Sequence, residues 1–350
     1  MIYEIAPDRF ADGDKANDPK GTALWTDSPA ANTVYGGDAK GVEDHLQYLL
    51  SLGANTVLLD PPAASFGDDH QVESLIQDLD RQGLRVLASP GPGWFDAKAI
   101  AGAWMREAGS APKGLWSVDA GGGGECDSRV DATFGAACVA FATGDLSPTD
   151  FANKLMDSYG RGGGVAHPVS GAETGRILTR CHSDDSVAKI VLALQFTWPG
   201  IPVVLYGDEL GMTGGPEPDE LRPMNWDLDV DTNSWLSLYQ TLIHLRETNS
   251  ALETGSPTIL EKDDAAGTLA YARISSDQAI LVLVNRSRLP QDVRISIPSD
   301  LAVQISAPNG FQDLISSGSV AYGRDHRMQL TLPPVSVQIL VPASGQGSGS

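Results

Sequence analysis

The sequence predicts a parallel α/β barrel-like architecture followed by an antiparallel β-module, and three observations carry that prediction. Up to about Asn249, short β-branched runs alternate with helical stretches, the rhythm of a parallel sheet covered by helices. Beyond that point the helical pattern stops, and four runs alternate apolar and polar residues with turn residues between them. The chain has 350 residues, 41% of them apolar, enough for a sizeable core plus a smaller domain. The predicted boundaries are residues 1–250 for the barrel and 251–343 for a β-sandwich, with 344–350 (SGQGSGS) a flexible tail.

In chain order, Ile2–Ile5 reads as a first strand. Gly41–Leu52 places Val42, Leu46, Leu49 and Leu50 at helical spacing and stops at Gly53, a C-terminal signal. Thr56–Asp60 and Arg85–Ala88 read as strands, with a helix over Val72–Gln82 between them. Further helices are predicted over Ala97–Ala108, Pro148–Tyr159, Ser186–Phe196 and Asn233–Arg246, and strands over Val130–Thr133 and Val203–Tyr206. In the β-module the strands are Gly267–Ser275, Gln278–Asn285, Asp292–Ile297 and Met328–Leu332.

Bulk properties exclude some partners. A formal charge of −21 opposes binding to nucleic acid or to an anionic membrane, whereas a neutral ligand is indifferent to it. Three cysteines form no disulfide framework and have no zinc-like spacing. No apolar run reaches the ~20 residues of a membrane helix. The default expectation is a cytoplasmic protein, or a secreted one if a leader has been removed.

Motifs sharpen the picture. Phe196–Trp226 (FTWPGIPVVLYGDELGMTGGPEPDELRPMNW) runs from a β-branched strand through a Gly-Asp-Glu turn to Arg222-Pro223-Met224-Asn225-Trp226. It resembles the stretch around the last barrel strand of the α-amylase family (glycoside hydrolase family 13), in its neopullulanase and cyclomaltodextrinase branch. The opening Ile2-Tyr3-Glu4-Ile5, PDRFADGDKAND at Pro7–Asp18 and YGGDAKG at Tyr35–Gly41 agree. The resemblance implies a TIM-type (β/α)8 barrel with a C-terminal β-sandwich, here shortened and incomplete or distorted.

Asp12, Asp14, Asn17 and Asp18 set hard oxygen ligands closely along one loop, and Gly36 and Asp38 add a backbone carbonyl and a carboxylate. By spacing alone this is a solvated acidic loop. The resemblance implies a structural Ca2+ there, pinning the N-terminal loop.

The family's chemistry uses an Asp nucleophile and a Glu acid/base about 5–5.5 Å apart for retaining hydrolysis. Laid on this sequence, Asp119 of Leu115–Asp119 takes the nucleophile position and Glu125 of Gly124-Glu125 the acid/base position. Glu173 of SGAETGRIL stands for the third carboxylate, and Arg176 follows it as in the family. Trp94, Trp116 and Arg176 are the candidate sugar-binding residues. Several positions depart from the pattern. Ser117 replaces the arginine that orients the nucleophile, Ser89 and Gly93-Trp94 replace an Asp and an Asn-His pair, and Ala172 replaces a His. Asp119 and Glu125 are joined only by Ala120 and four glycines, too short for the helical crossover between parallel strands.

Three readings follow. One is a pseudo-glycosidase with a binding or scaffold role, toward an α-glucan, a maltooligosaccharide or a protein partner. Another is an active retaining hydrolase of α-1,4 and α-1,6 glucosidic bonds. The third is a barrel trimmed by design.

Overall fold

The computed structural model describes residues 1–26, 28–30, 33–60, 67, 69–88, 116–117, 129–160, 165–228, 232–298, 301, 305, 309–316, 318–323 and 326–343. By internal contacts the chain divides into two compact units. The first comprises Met1–Ala132, Gly163–Arg180 and Ile201–Gln240, and the second Thr133–Gly162, Cys181–Gly200 and Thr241–Ser350.

Seven described strands build the sheet of the first unit. They are β1 (Ile2–Ile5), β2 (Thr56–Leu59), β3 (Arg85–Ala88), β4 (Trp116–Ser117), β5 (Arg129–Val130), β6 (Val165–Pro168) and β7 (Ile201–Leu205). Their order is β4-β3-β2-β1-β7-β6-β5, and every neighbouring pair is parallel. The first strand therefore pairs with the last, Ile2 opposite Val203, which is how a barrel brings the ends of its chain together. One residue from each of five strands, Ile2, Leu58, Leu87, Ala166 and Val203, forms a buried apolar cluster, with Val130 and Ile201 packed against it. Inward-pointing side chains stacked in layers are the core of such a barrel.

The helix predicted over Gly41–Leu52 is two helices, α1 (Ala39–Asp44) and α2 (Leu46–Leu52), broken at His45. The break has a local cause. The His45 ring stacks on Trp226 at 3.9 Å between centroids, and its Nδ1 lies 2.8 Å from the Gly41 carbonyl oxygen. The Asp38 side chain caps the first helix by accepting from the Gly41 N–H, and Gly53, at φ 92°, closes the second as predicted. The run read as a strand over Val130–Thr133 ends at Val130 and turns into helix α3 (Ala132–Thr143). That helix buries Phe134, Ala137, Cys138, Phe141 and Ala142 and shows no polar face, so period gave no warning of it. The helix predicted over Ala97–Ala108 lies outside the described residues.

The second unit holds the β-module. A six-stranded sheet contains β8 (Ser256–Asp263), β9 (Thr268–Ile274), β10 (Ala279–Asn285), β12 (Phe311–Asp313), β13 (Ser319–Val320) and β15 (Ser336–Pro342). A two-stranded sheet pairs β11 (Gln291–Ser296) with β14 (Arg327–Leu332). Leu281, Leu283 and Leu340 from the first sheet and Val293, Ile295 and Met328 from the second share one core, which makes the module a sandwich. Helix α4 (Asp185–Thr197) packs on β15 within this unit. The carbonyls at its end are satisfied by two arginines: Arg246 donates to Phe196 O and Trp198 O, and Arg273 to Thr197 O. Cations at a helix C-terminus also oppose its negative dipole end.

Candidate functional site

The C-terminal ends of the barrel strands are where such folds place their chemistry. Strand β4 ends at Ser117, so Asp119 follows it by two positions in the chain. Asp119, Glu125 and Trp94 lie outside the described residues, as does the side chain of Trp116. Glu173 is described and exposed. It sits in a tight turn closed by Gly171 and Gly175, whose N–H and carbonyl groups pair at 2.7 and 3.3 Å.

Arg176 departs from its predicted role. It is 0% exposed, so no sugar reaches its guanidinium. Its Nε donates to Glu220 O at 2.7 Å, and its Nη1 donates to Tyr206 O at 2.7 Å and to Asp208 Oδ1 at 3.0 Å. Asp208 Oδ2 accepts from Ser170 Oγ at 2.5 Å, and Ser170 Oγ accepts in turn from Ile177 N–H. The loop after β6 is thereby clasped to the turn after β7. Burial works against the charge of Arg176, but Asp208 and Tyr206 outweigh it and raise its pKa. Burial lifts the Asp208 carboxyl above the ordinary range despite the pull of Arg176.

Beside this clasp Glu209 is fully buried and accepts hydrogen bonds from Tyr3 Oη at 2.7 Å and Tyr48 Oη at 2.6 Å. Burial pushes its carboxyl up to about 7, against the two tyrosine hydroxyls that favour the ionised form. Asp208 and Glu209 are thus anchors of the turn that follows the last barrel strand.

The loop of acidic residues is organised by Asp38. Its Oδ1 accepts from Gly13 N–H and Gly41 N–H, and its Oδ2 from Asp14 N–H and Asn17 Nδ2, at 2.7–3.0 Å. Four donors occupy the four lone-pair positions of the carboxylate, so Asp38 is committed to holding the loop against the start of α1. The enclosed oxygens Asp12 Oδ1, Asn17 Oδ1 and Asp18 Oδ1 have no hydrogen-bond partner. Gly36, at φ 86°, lets the chain pass so close that a Cβ there would stand 2.0 Å from Asp18 Oδ1. Burial, then Asp18 and Asp38, raise the Asp12 carboxyl above its usual value. Among the described residues no three His, Cys, Asp or Glu side chains close round a cation-sized hole. The orphan donors are two carboxylates and an amide, a mixed oxygen set of the kind hard cations take, so the residues fit calcium.

Sequence reasoning passed over two further carboxyls in the barrel. Glu4 and Asp60 follow the floor residues Ile2 and Leu58 by two positions, so they stand on the same inner face, one layer nearer the C-terminal end. A charged residue at an inward position of an otherwise apolar strand was the available signal.

A single-chain barrel of parallel strands with a C-terminal sandwich defines the class. Within it the chain resembles the α-amylase family, glycoside hydrolase family 13, in its neopullulanase and cyclomaltodextrinase branch, over nearly its whole length. Neopullulanase 2 of Thermoactinomyces vulgaris is 24% identical, covering 97% of this chain and 77% of that protein. A cyclomaltodextrinase of Geobacillus thermopakistaniensis is 25% identical, covering 84% of this chain and 70% of that one. The alignment with the neopullulanase runs over 457 positions against 350 residues here, so more than a hundred of its residues have no counterpart in this chain. A solved cyclomaltodextrinase superposes with a TM-score of 0.81 at 22% identity, covering 97% of this chain and 77% of that one. A cyclic α-maltosyl-(1→6)-maltose hydrolase from Arthrobacter globiformis, in complex with cyclic α-maltosyl-(1→6)-maltose, superposes at 0.77 with 19% identity, covering 97% and 98% of the two chains. No family model matches the chain. Among the described residues no helix is long and apolar enough to cross a membrane.

Proposed function

We propose that this chain is an α-glucan-acting glycoside hydrolase of the neopullulanase and cyclomaltodextrinase type. The observation that carries the reading is full-length similarity to proteins so named, 24% identical across 97% of the chain. In this reading Asp119 is the nucleophile, Glu125 the acid/base and Glu173 the third carboxylate, acting on α-1,4 or α-1,6 bonds of maltooligosaccharides with retention at the anomeric carbon. Asp119 attacks and the leaving oxygen takes a proton from Glu125; water then releases the glycosyl group, returning that proton. Arg176 has no contact with substrate. Its clasp with Asp208 fixes the loop that carries Glu173.

A structural calcium belongs to the same proposal, held by Asp12, Asn17 and Asp18 with Asp14 and Gly36 beside them. It supplies positive charge to a crowded acidic loop and takes no part in bond cleavage. The intracellular maltogenic amylase of Bacillus subtilis, 22% identical over 84% of this chain, supports a cytoplasmic setting.

A second reading, a pseudo-glycosidase that binds glucan without cleaving it, draws on Ser117 at the arginine position and on the residues the chain lacks relative to its relatives. Incubation of concentrated protein with maltooligosaccharides, cyclodextrin and pullulan separates the two. The hydrolase reading expects reducing ends to appear and to fall by at least about a thousandfold in Asp119→Asn, the scale of losing a catalytic nucleophile. Intact sugar after prolonged incubation, with binding retained in calorimetry, transfers the assignment to the second reading.

A further inference from the structure

Met212 is a nucleophilic side chain that the proposed chemistry does not use. It is half-buried and lines a cavity of about 980 Å³ with Trp25, Pro29, Thr213, Trp226 and Leu228, all within the first unit. Its sulfur is pressed against the chain. Gly207 stands at φ 83°, and a Cβ there would lie 2.2 Å from Met212 Sδ, 3.1 Å from Cγ and 3.4 Å from Cε. The thioether therefore fills the place of the side chain that Gly207 lacks. Met212 N–H donates to Gly207 O at 3.0 Å, so backbone and side chain close the same turn. Inside that turn stand Asp208, held by Arg176 and Ser170, and Glu209, held by Tyr3 and Tyr48.

Other described methionines lack this pairing of access and contact. Met224 borders the same cavity but is 4% exposed, and Met328 is 1% exposed in the core of the sandwich. Met156 is 37% exposed on the helix Pro148–Gly160, which belongs to the second unit. A thioether reacts where an oxidant can reach it, and the change matters where the sulfur packs on something. Met212 meets both conditions.

We infer that Met212 is a peroxide-sensitive switch, oxidised only on the sulfur face turned to the cavity and so to a single sulfoxide epimer. The oxidant is a hydroperoxide. A sulfur lone pair attacks its hydroxyl oxygen, and the S–O bond forms as the O–O bond breaks. The departing oxygen takes up the hydroxyl proton and leaves as water or an alcohol. Sulfur gives up an electron pair and the peroxide gains it. Oxygen on one lone pair or the other gives opposite epimers. On the side of Gly207 there is no room even for a Cβ, so oxygen arrives from the cavity. The sulfoxide is a polar acceptor and exchanges the contact with Gly207 for water. The turn that carries Asp208 and Glu209 then loses its prop.

Brief treatment with hydrogen peroxide, followed by peptide mass mapping, tests this without any sugar or activity measurement. Met156 and Met212 are expected to gain oxygen while Met224 and Met328 stay reduced. The two methionine sulfoxide reductases each act on one epimer. Applied separately to the digested protein, each is expected to clear about half of the Met156 sulfoxide. One of them should clear at least about nine-tenths of the Met212 sulfoxide and the other almost none. The oxidised wild type is expected to melt a few degrees lower. Met212→Leu, similar in volume, should melt at the same temperature before and after treatment. If that variant does not fold, Met156→Leu serves, and it should keep the whole peroxide-dependent fall. Three results each overturn the inference: equal clearance of the Met212 sulfoxide by both reductases, a Met212 still reduced when Met156 is fully oxidised, or an unchanged melt of the oxidised wild type.

Discussion

The first unit holds two concentrations of acidic side chains that handle their charge in opposite ways. On the loop, Asp12, Asn17 and Asp18 keep oxygens that no donor in the protein meets, and Asp38 consumes the nearby N–H groups. In the barrel, Asp208 is matched by Arg176, Glu209 by two tyrosine hydroxyls, and Glu4 and Asp60 by each other. The loop residues Asp12, Asn17 and Asp18 are only half-buried. The barrel is enclosed by strands and solves the same electrostatic problem with a guanidinium and with protons. Depth decides which counter-charge a carboxylate can recruit.

The comparison is tested hardest at its buried cation. Arg176→Met leaves Asp208 enclosed without its partner and is expected to lower the unfolding free energy in urea by about 3–5 kcal/mol, the cost of stranding one member of a buried pair. A loss below about 1 kcal/mol would mean that Ser170 and solvent already neutralise Asp208, and the contrast with the loop would fail.

Calcium comes next. A site held at a hundred to a thousand times its dissociation constant contributes about 3–4 kcal/mol, so exhaustive chelation is expected to lower the melting temperature by several degrees. Asp18→Ala should melt at that lower temperature whether or not calcium is present. An identical melt for wild type with and without chelator removes the loop from the argument.

The smallest effect is in pH. Glu209 has its folded value raised to about 7 from an ordinary 4.5. Its folded form therefore holds a proton more tightly than the unfolded chain does. That contribution is complete below about 4.5 and is lost as pH rises through about 7, on the order of 1–3 kcal/mol. Stability measured in urea should fall from about pH 5 to about pH 8, and Glu209→Gln should fall less steeply. An equal slope in the variant would show that Glu209 is ionised throughout and is held by its tyrosines alone.

The parts legible in the sequence were those with a period or a punctuation mark. Ile2–Ile5 and Arg85–Ala88 were bounded to the residue, and the helix before the last strand was off by one residue at each end. Helix α3 was missed because its sequence, ATFGAACVAFAT, is small or apolar on every side, leaving no polar stripe to count. Strand β6 was missed because its Val-Ala-His-Pro carries little β-branched signal and ends in proline. Strands β8 and β15 were missed as well, the first opening on Ser-Pro and the second partly exposed along much of its length. Arg176 was read as a sugar contact because a motif places a residue in the chain but says nothing of its burial. What makes it structural is the convergence of Tyr206, Asp208 and Glu220 from thirty or more positions away. Glu4 and Asp60 were overlooked for the same reason, since their meeting depends on two strands lying in register.

The pairing of β1 with β7 also bears on how the molecule is made. Ile2 waits for Val203, and the Glu4 carbonyl for the N–H of Tyr206, so during synthesis these residues cannot find their neighbours until some two hundred others have followed. Contacts separated so widely are slow to form, and the unpaired edge of β1 stands open to other chains in the interval. Producing this protein in quantity is therefore a race between ring closure and self-association, in which cooler, slower synthesis favours the fold.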